Sequence, residues 1–421
     1  MEVFKNISWS ITAKLFITIS GFFVYGILGR YLSVDDFGLF NYILSIIIPS
    51  IGIMAFGMGL VSSKLQLEDN AKHVSMLITT FFVVSFLFLI LTFPLNGYFD
   101  FFNRKIYYIV FSIAFFSSLL RILSDYFRSK NKFHIFAIYN SISTGGGIIV
   151  WTVFLISILL LVNLNQLSVD NIFYALLTAT TTSAFLIIIN FIKILGDDFK
   201  KISFKGIFSD EYSKFLFVCL SLTIITFFRT IDQNIFIWIT NYQLSYESVA
   251  YIAIVLKIAT LVEIPLSVID VSTPQIISRK LKKSDTTGLE NFIRKISLFR
   301  FSVGGFIMIS SIILSEQIIN IIFGIEYIHL SNYTNIILLS YMLRILLGPN
   351  SQILIIGDNH KQIIYLRIAL LILISILTIC FKMTFDNIIL MLFFYRIIFD
   401  LSCYLLVKNK IKINTLPYIG F

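Results

Sequence analysis

Seven cations interrupt stretches of this chain that are otherwise apolar: Lys14, Arg121, Arg229, Lys257, Arg344, Arg367 and Arg396. Left unpaired at the centre of a bilayer, each would cost about 3 kcal/mol, and seven would cost on the order of 20 kcal/mol, more than the stability of a typical fold. They must therefore find partners, headgroups or a polar cavity. Lys14, Arg121 and Arg367 fall within about two turns of a basic flank and can snorkel to headgroups. Arg121 with Asp125 and Arg396 with Asp400 have i, i+4 spacing, and Arg229 with Asp232 has i, i+3, so each can neutralise a neighbour on its own helix. Lys257 and Arg344 lie deep with no acid at helical spacing, and Arg229 and Arg396 are near mid-depth. These four belong to the second half of the chain. Gathered in a cavity, such cations would grip an anion, and arginine holds phosphate oxygens in a planar fork. The acids Asp232, Glu263, Asp270 and Asp400 are candidates for coupling to protons or sodium; Glu263 and Asp270, seven apart, share one helix face.

The elements that must position these groups follow from composition. Hydrophobic residues make up 57%, aromatic residues 16% and charged residues 13%, with a mean hydropathy of +0.90; soluble domains are about 45–50% apolar. This is the composition of an all-α integral membrane protein, since a hydrocarbon core about 30 Å thick takes about 20 apolar helical residues to cross and forces the backbone to satisfy itself. Twelve spans are predicted: 11–30, 37–61, 74–95, 107–127, 135–162, 171–195, 214–240, 248–272, 297–315, 332–356, 363–382 and 386–407.

Of the 33 Lys and Arg residues, 22 fall at the termini, in even-numbered gaps or at the span edges that border them, Arg300 among them; the odd gaps and their bordering edges hold only Arg30, Arg104, Lys105 and Lys382. Positive charge marks the cytoplasmic side, so a multi-pass protein with both termini cytoplasmic is predicted. The net charge of +10 then reports topology and attraction to anionic membrane lipids. No basic face interleaved with stacking aromatics points to nucleic acid. Cys219, Cys380 and Cys403 lie singly in apolar stretches without CxxC spacing, which reads as buried packing and gives no metal site. The first apolar stretch lacks a small-residue cleavage site and reads as a retained helix.

The longest gaps, about 196–213 and 273–296, are too short for a separate catalytic domain. No GxxxxGK[ST], HExxH or GxSxG occurs, so ATP-driven transport and the commoner hydrolytic chemistries find no support. The expectation is a non-enzymatic transporter without a cofactor. Within the second gap, Thr287 and Glu290 have capping-box spacing ahead of Leu289, Phe292, Ile293 and Ile296, which predicts a short helix lying on the inner membrane surface or simply connecting two spans.

The sequence also repeats. Leu32-Ser33-Val34-Asp35-Asp36-Phe37-Gly38 after the first span matches Leu244-Ser245-Tyr246-Glu247-Ser248-Val249-Ala250 after the seventh. Both read Leu-Ser, then an acid, then an apolar and a small residue opening a helix. Division into two six-helix lobes follows, residues 1–195 and 214–407, with a linker at 196–213 and a tail at 408–421. Six is even, so the lobes enter the membrane in parallel, and alternating access around a central cavity is the expected motion.

Several motifs together resemble those of the Wzx-type O-antigen repeat-unit flippases of the MOP superfamily, which also contains the MATE exporters. They are Arg30-Tyr31-Leu32 with Asp35-Asp36-Phe37-Gly38-Leu39-Phe40, Tyr126-Phe127-Arg128 to Asn131-Lys132, Asp232, and Phe323-Gly324-Ile325-Glu326-Tyr327. The resemblance implies a MATE-like fold in the bacterial inner membrane and export of an undecaprenyl-diphosphate-linked glycan, with a polysaccharide polymerase and chain-length regulator as further partners. It implies a cavity-facing role for Arg30, beside an anchoring role at the interface. The anionic headgroup would then meet Arg30, Arg229, Lys257, Arg344 and Arg396, with Lys14 and Arg121. A cation-exporting MATE antiporter would want membrane carboxylates in the first lobe, where Asp125 is the one acid within a span. A lipid II flippase commonly carries helices beyond twelve, and a membrane polymerase would want a sizeable outer loop.

Overall fold

The computed structural model describes residues 2–59, 61, 70–94, 104–130, 132–196, 210–283, 285–357 and 359–417. Among them no strand occurs. The helices are α1 (Glu2–Tyr31), α2 (Val34–Met54), α3 (Asn70–Thr92), α4 (Arg104–Ser129), α5 (Phe133–Tyr139), α6 (Ile148–Asn163), α7 (Val169–Leu195), α8 (Asp210–Gln243), α9 (Tyr246–Lys282), α10 (Thr286–Ile313), α11 (Ser315–Ile322), α12 (Ser331–Leu347), α13 (Asn350–Ile356), α14 (His360–Cys380) and α15 (Phe385–Lys410). Each predicted span meets a helix at its position. Nine helices of the described residues are long and apolar enough to cross a membrane, and Leu15–Tyr31 and Ile148–Asn163 are shorter apolar helices. Large apolar side chains such as Phe86, Phe306, Ile313 and Ile379 stand exposed, as a lipid-facing surface requires.

Two spans expected to be continuous are broken. The fifth stops at Tyr139 and resumes at Ile148, because Gly145 and Gly146 adopt φ of 106° and 86°. Local bonds satisfy the opened backbone: Asn140 Oδ1 accepts from the Ser141 N–H at 2.9 Å and the Thr144 hydroxyl at 2.6 Å, and Trp151 Nε1 donates to the Gly145 carbonyl at 2.6 Å. The tenth breaks at Gly348, with φ of 81°, followed by Pro349, which has no N–H to continue the ladder.

A third difference concerns residues 287–296. They form no separate surface helix but open α10, which runs unbroken into the ninth span; Asp285 caps it, accepting from the Gly288 N–H at 2.8 Å. Leu289 and Ile293 are fully buried with Ile277, Ile353, Leu354 and Ile413 in an apolar core. The amphipathic stripe faces protein.

The chain packs as two compact units: Met1–Val24 with Ile43–Ile231, and Tyr25–Tyr42 with Asp232–Phe421. Packing thus does not follow chain order. In the first unit α4 packs on α7, α7 on α6, and α5 bridges α4 and α6. In the second, α9, α10, α12 and α15 pack in succession, with α14 beside α15. The repeat segments meet inside this second unit. Ser33 caps α2, accepting from the Asp36 N–H at 3.2 Å, as Ser245 caps α9, accepting from the Ser248 N–H at 3.3 Å. Gly38 lies against the Tyr246 backbone with no room for a β-carbon. Of the linker expected at 196–213, residues 197–209 lie outside the described set.

Candidate functional site

The second unit holds a cluster of charges contributed by six helices. Asp232 Oδ2 on α8 faces Arg367 Nη1 on α14 at 3.3 Å, with side chains 13% and 12% exposed. Glu263 Oε1 on α9 accepts from Arg344 Nη1 on α12 at 2.6 Å, both side chains partly exposed. Arg396 on α15 lies over the Tyr341 ring, 4.4 Å from its centroid, and Arg344 approaches the same ring at 5.9 Å. Arg367 in turn sits 5.0 Å over Phe399. Asp400 lies in the fields of Arg344, Arg396, Glu263 and Arg300.

This arrangement revises several expectations of local pairing. Arg396 and Asp400, one turn apart, form no ion pair among the described residues; the guanidinium stacks on Tyr341 and its Nη1 is buried without a hydrogen-bond partner. Asp232 takes Arg367 as its ion-pair partner, across helices. Arg367 is thereby held inside the protein and does not snorkel. Arg344, which has no acid at helical spacing, finds Glu263 on another helix. Helical spacing alone misassigns such partners because in a packed bundle the nearest opposite charge sits on an adjacent helix.

Arg300, counted above with the cytoplasmic gap, is 2% exposed on α10 and belongs to the same cluster. It shares a buried face with Leu289, Ile293, Ser297 and Gly304. The signal was present: the stripe from Leu289 and Ile293, extended by seven residues from Ile293, reaches Arg300. Tyr341, whose ring both guanidinium groups approach, was also missed; it stands three residues before Arg344. Four arginines here outnumber the three carboxylates Asp232, Glu263 and Asp400, so the cluster carries a surplus cation of the kind that holds an anion.

Lys257 stands apart from this cluster, with its ammonium 4.2 Å over the Tyr25 ring. Arg30 is committed to backbone. Its Nε donates to the Ile322 carbonyl at 3.1 Å and its Nη2 to Asn320 at 2.9 Å and to Ile321, so it caps the carbonyl end of α11, where a cation is favoured. Arg229 is exposed on α8. The side chains of Lys14 and Asp270 lie outside the described residues.

In the first unit, Arg121 is 7% exposed on α4, with an Nη1 facing Gly52 near Thr230. It is buried rather than reaching headgroups. Asp125 pairs with Arg128 at 2.9 Å, i, i+3, instead of with Arg121. Arg128 also lies 4.9 Å over Phe136. No group of three or more His, Cys, Asp or Glu able to hold a metal occurs among the described residues.

Solved structures share this architecture. An inward-facing multidrug resistance MATE family transporter of the MOP superfamily aligns with a TM-score of 0.73 at 11% identity, over 96% of this chain and 98% of that one. A MOP superfamily transporter from Pyrococcus furiosus, described as having a binding pocket of reverse polarity that suggests a different function, aligns at 0.66 and 10% identity, over 97% and 96%. The lipid II flippase MurJ, in an inward closed conformation, aligns at 0.63 and 18% identity, over 96% and 87%. No protein-family model matches the chain, and no curated protein does. The likeness establishes the fold: a multi-pass, all-α membrane protein of MATE-like architecture.

Proposed function

We propose that this chain is a MOP-superfamily flippase that carries an undecaprenyl-diphosphate-linked oligosaccharide repeat unit from the cytoplasmic to the periplasmic leaflet of the bacterial inner membrane, by alternating access between lobes 1–195 and 214–407. The observation that carries this reading is the pair of guanidinium groups on Tyr341. Arg396 offers a buried Nη1 with no hydrogen-bond partner, and the half-exposed Arg344 approaches the same ring. Two arginine forks on one rigid ring suit a diphosphate. Lys257, Arg229 and Arg121 are further candidates for the headgroup, and Lys14 is carried over from sequence spacing. The fold shared with MurJ, itself a lipid II flippase, supports a lipid-linked substrate.

A cation-exporting antiporter needs carboxylates free to take a cation. Asp232 is already held by Arg367 across helices in a buried pair, which argues against that reading. Asp400 and Asp270 remain candidates for ion coupling. Such coupling is not obligatory, because moving two negative charges outward across an inside-negative membrane is favourable by about 4 to 5 kcal/mol per 100 mV. A polysaccharide polymerase and a chain-length regulator are the partners this role would place downstream.

The test replaces Arg229, Lys257, Arg344 or Arg396 by Ala and scores surface polysaccharide at matched protein level. Loss of export in the Arg344 and Arg396 variants is expected. Normal export by all four would sink the cationic-site reading. Flipping in vesicles at a set potential and no pH gradient separates potential-driven from ion-coupled transport.

A further inference from the structure

Along the same two helices that carry Arg367 and Arg396, α14 and α15 form an open groove of about 400 Å³ within the second unit. Its walls are apolar: Leu370, Leu373 and Leu377 from α14 face Met391, Phe394 and Ile398 from α15. Leu373, Phe394 and Ile398 are exposed, so the groove opens sideways, to where the acyl chains of a bilayer would lie. At one end the lining turns polar, with Lys382 and Asn387.

Three observations say what fits. First, Lys382 is one of the few cations in the odd-numbered gaps, which the charge bias assigns to the outer side. It sits next to the N-terminus of α15, whose dipole adds positive potential, while the nearby Asp386 is occupied by the Tyr333 hydroxyl at 2.7 Å. Second, the mouth is held in place. Gln243 Nε2 donates to the Thr378 carbonyl at 2.7 Å, its Oε1 accepts from the Met383 N–H at 3.4 Å, and Thr384 Oγ1 accepts from the Asn387 N–H at 3.4 Å. Third, Asn387 to Ile398 spans about 16 Å of helix, half of a hydrocarbon core about 30 Å thick, which is the depth of one leaflet.

We propose that this groove is a binding site for an anionic phospholipid of the outer leaflet, one acyl chain lying between α14 and α15 and the phosphate meeting Lys382. The proposal is independent of the transported substrate and rests on the orientation given by the charge bias.

The test uses the full-length protein in phosphatidylethanolamine vesicles doped with a diazirine-acyl phosphatidylglycerol, or with the matching phosphatidylcholine, and maps crosslinks by mass spectrometry. Crosslinks concentrated in residues 370–398 are expected, with the phosphatidylglycerol probe favoured by about fivefold, the gain of one lysine facing an anionic headgroup. Lys382→Ala, at an exposed position, should bring the two probes to parity, and Leu373→Trp or Leu377→Trp should reduce labelling by both. Equal labelling by the two probes in the native chain would overturn the proposal. So would crosslinks spread evenly over the lipid-facing helices and unmoved by either tryptophan, or displacement of the probe by stoichiometric polyprenyl phosphate.

Discussion

Asp232 and Arg367 face each other at 3.3 Å from α8 and α14, each side chain nearly nine-tenths buried. Removing one partner of a buried pair leaves the other charge uncompensated, at a cost of about 3–5 kcal/mol, whereas removing both is far milder. Asp232→Asn or Arg367→Gln alone should therefore lower the thermal midpoint of the purified protein sharply. The double variant should recover most of the loss. A double-mutant cycle with no coupling would show that the two groups do not depend on one another.

The Glu263–Arg344 contact is shorter but exposed, with side chains 37% and 45% accessible. Solvent screening limits such a pair to about 1 kcal/mol or less, so Glu263→Gln should leave the thermal midpoint nearly unchanged. Arg344→Ala should instead weaken binding of a diphosphate-bearing lipid by about tenfold to a hundredfold, the range of one hydrogen bond to a charged group. Thermal melts check the first, and titration of the detergent-purified protein with farnesyl diphosphate, read by quenching of intrinsic fluorescence, checks the second.

The helices were legible because apolar length is a local property, and each predicted span meets a helix. The breaks at Gly145–Gly146 and Gly348–Pro349 carried residue signals in the sequence, but the bonds that make them tolerable, such as Trp151 to Gly145, depend on the folded backbone. Charge partners were the least legible part. Asp232 lies three residues after Arg229 and pairs with a residue 135 positions away, because the bundle decides which helices touch. Arg300 was hidden for a different reason: the ninth span begins at a cap in the preceding loop, so a charge placed near its edge is in fact inside.

Gly38 packs on the Tyr246 backbone, where the two copies of the internal repeat meet. The equivalent position in the second copy is Ala250, fully buried. A methyl group at residue 38 has nowhere to go, since the obstructing atoms are backbone. Gly38→Ala should destabilise the protein by about 1–3 kcal/mol, the cost of overpacking, seen as a lower thermal midpoint. Gly305→Ala, where a β-carbon meets open space, is the control and should be neutral or slightly stabilising.

Asp285 titrates outside the membrane. The hydrogen bond from Lys280 and then the Gly288 N–H hold its carboxyl below the ordinary value of 3.8. A depressed folded value means that its contribution is complete above about pH 4. It is lost as the pH falls from there through the folded value. Amide protection in the first turn of α10, expressed relative to the intrinsic exchange rate at each pH, should therefore be high at neutral pH and fall toward pH 3. Asp285→Ala should show the low protection at every pH, and unchanged protection in that variant would count against the cap.

The C-terminal segment is part of the fold. Thr415 donates its hydroxyl to the Leu347 carbonyl at 2.7 Å and to Asn350 Oδ1 at 2.9 Å, spanning the break between α12 and α13. Beside it, the Asn414 N–H donates to Glu290 Oε2 at 3.2 Å, and Glu290 pairs with Arg294 at 2.8 Å. Ile413 lies fully buried against Leu289 and Ile293. The segment thus supplies a donor to backbone that Gly348 and Pro349 leave outside any helix ladder. Thr415→Val keeps the shape but takes the hydroxyl donor from the buried Asn350 Oδ1, while the Leu347 carbonyl keeps the Asn350 Nδ2 donor at 2.8 Å, so the cost is about 1–3 kcal/mol for one stranded acceptor. Thr415→Ser keeps the hydroxyl and should lose much less. A thermal midpoint lowered by Thr415→Ser but unchanged in Thr415→Val would place the effect in the lost methyl rather than in the hydrogen bonds.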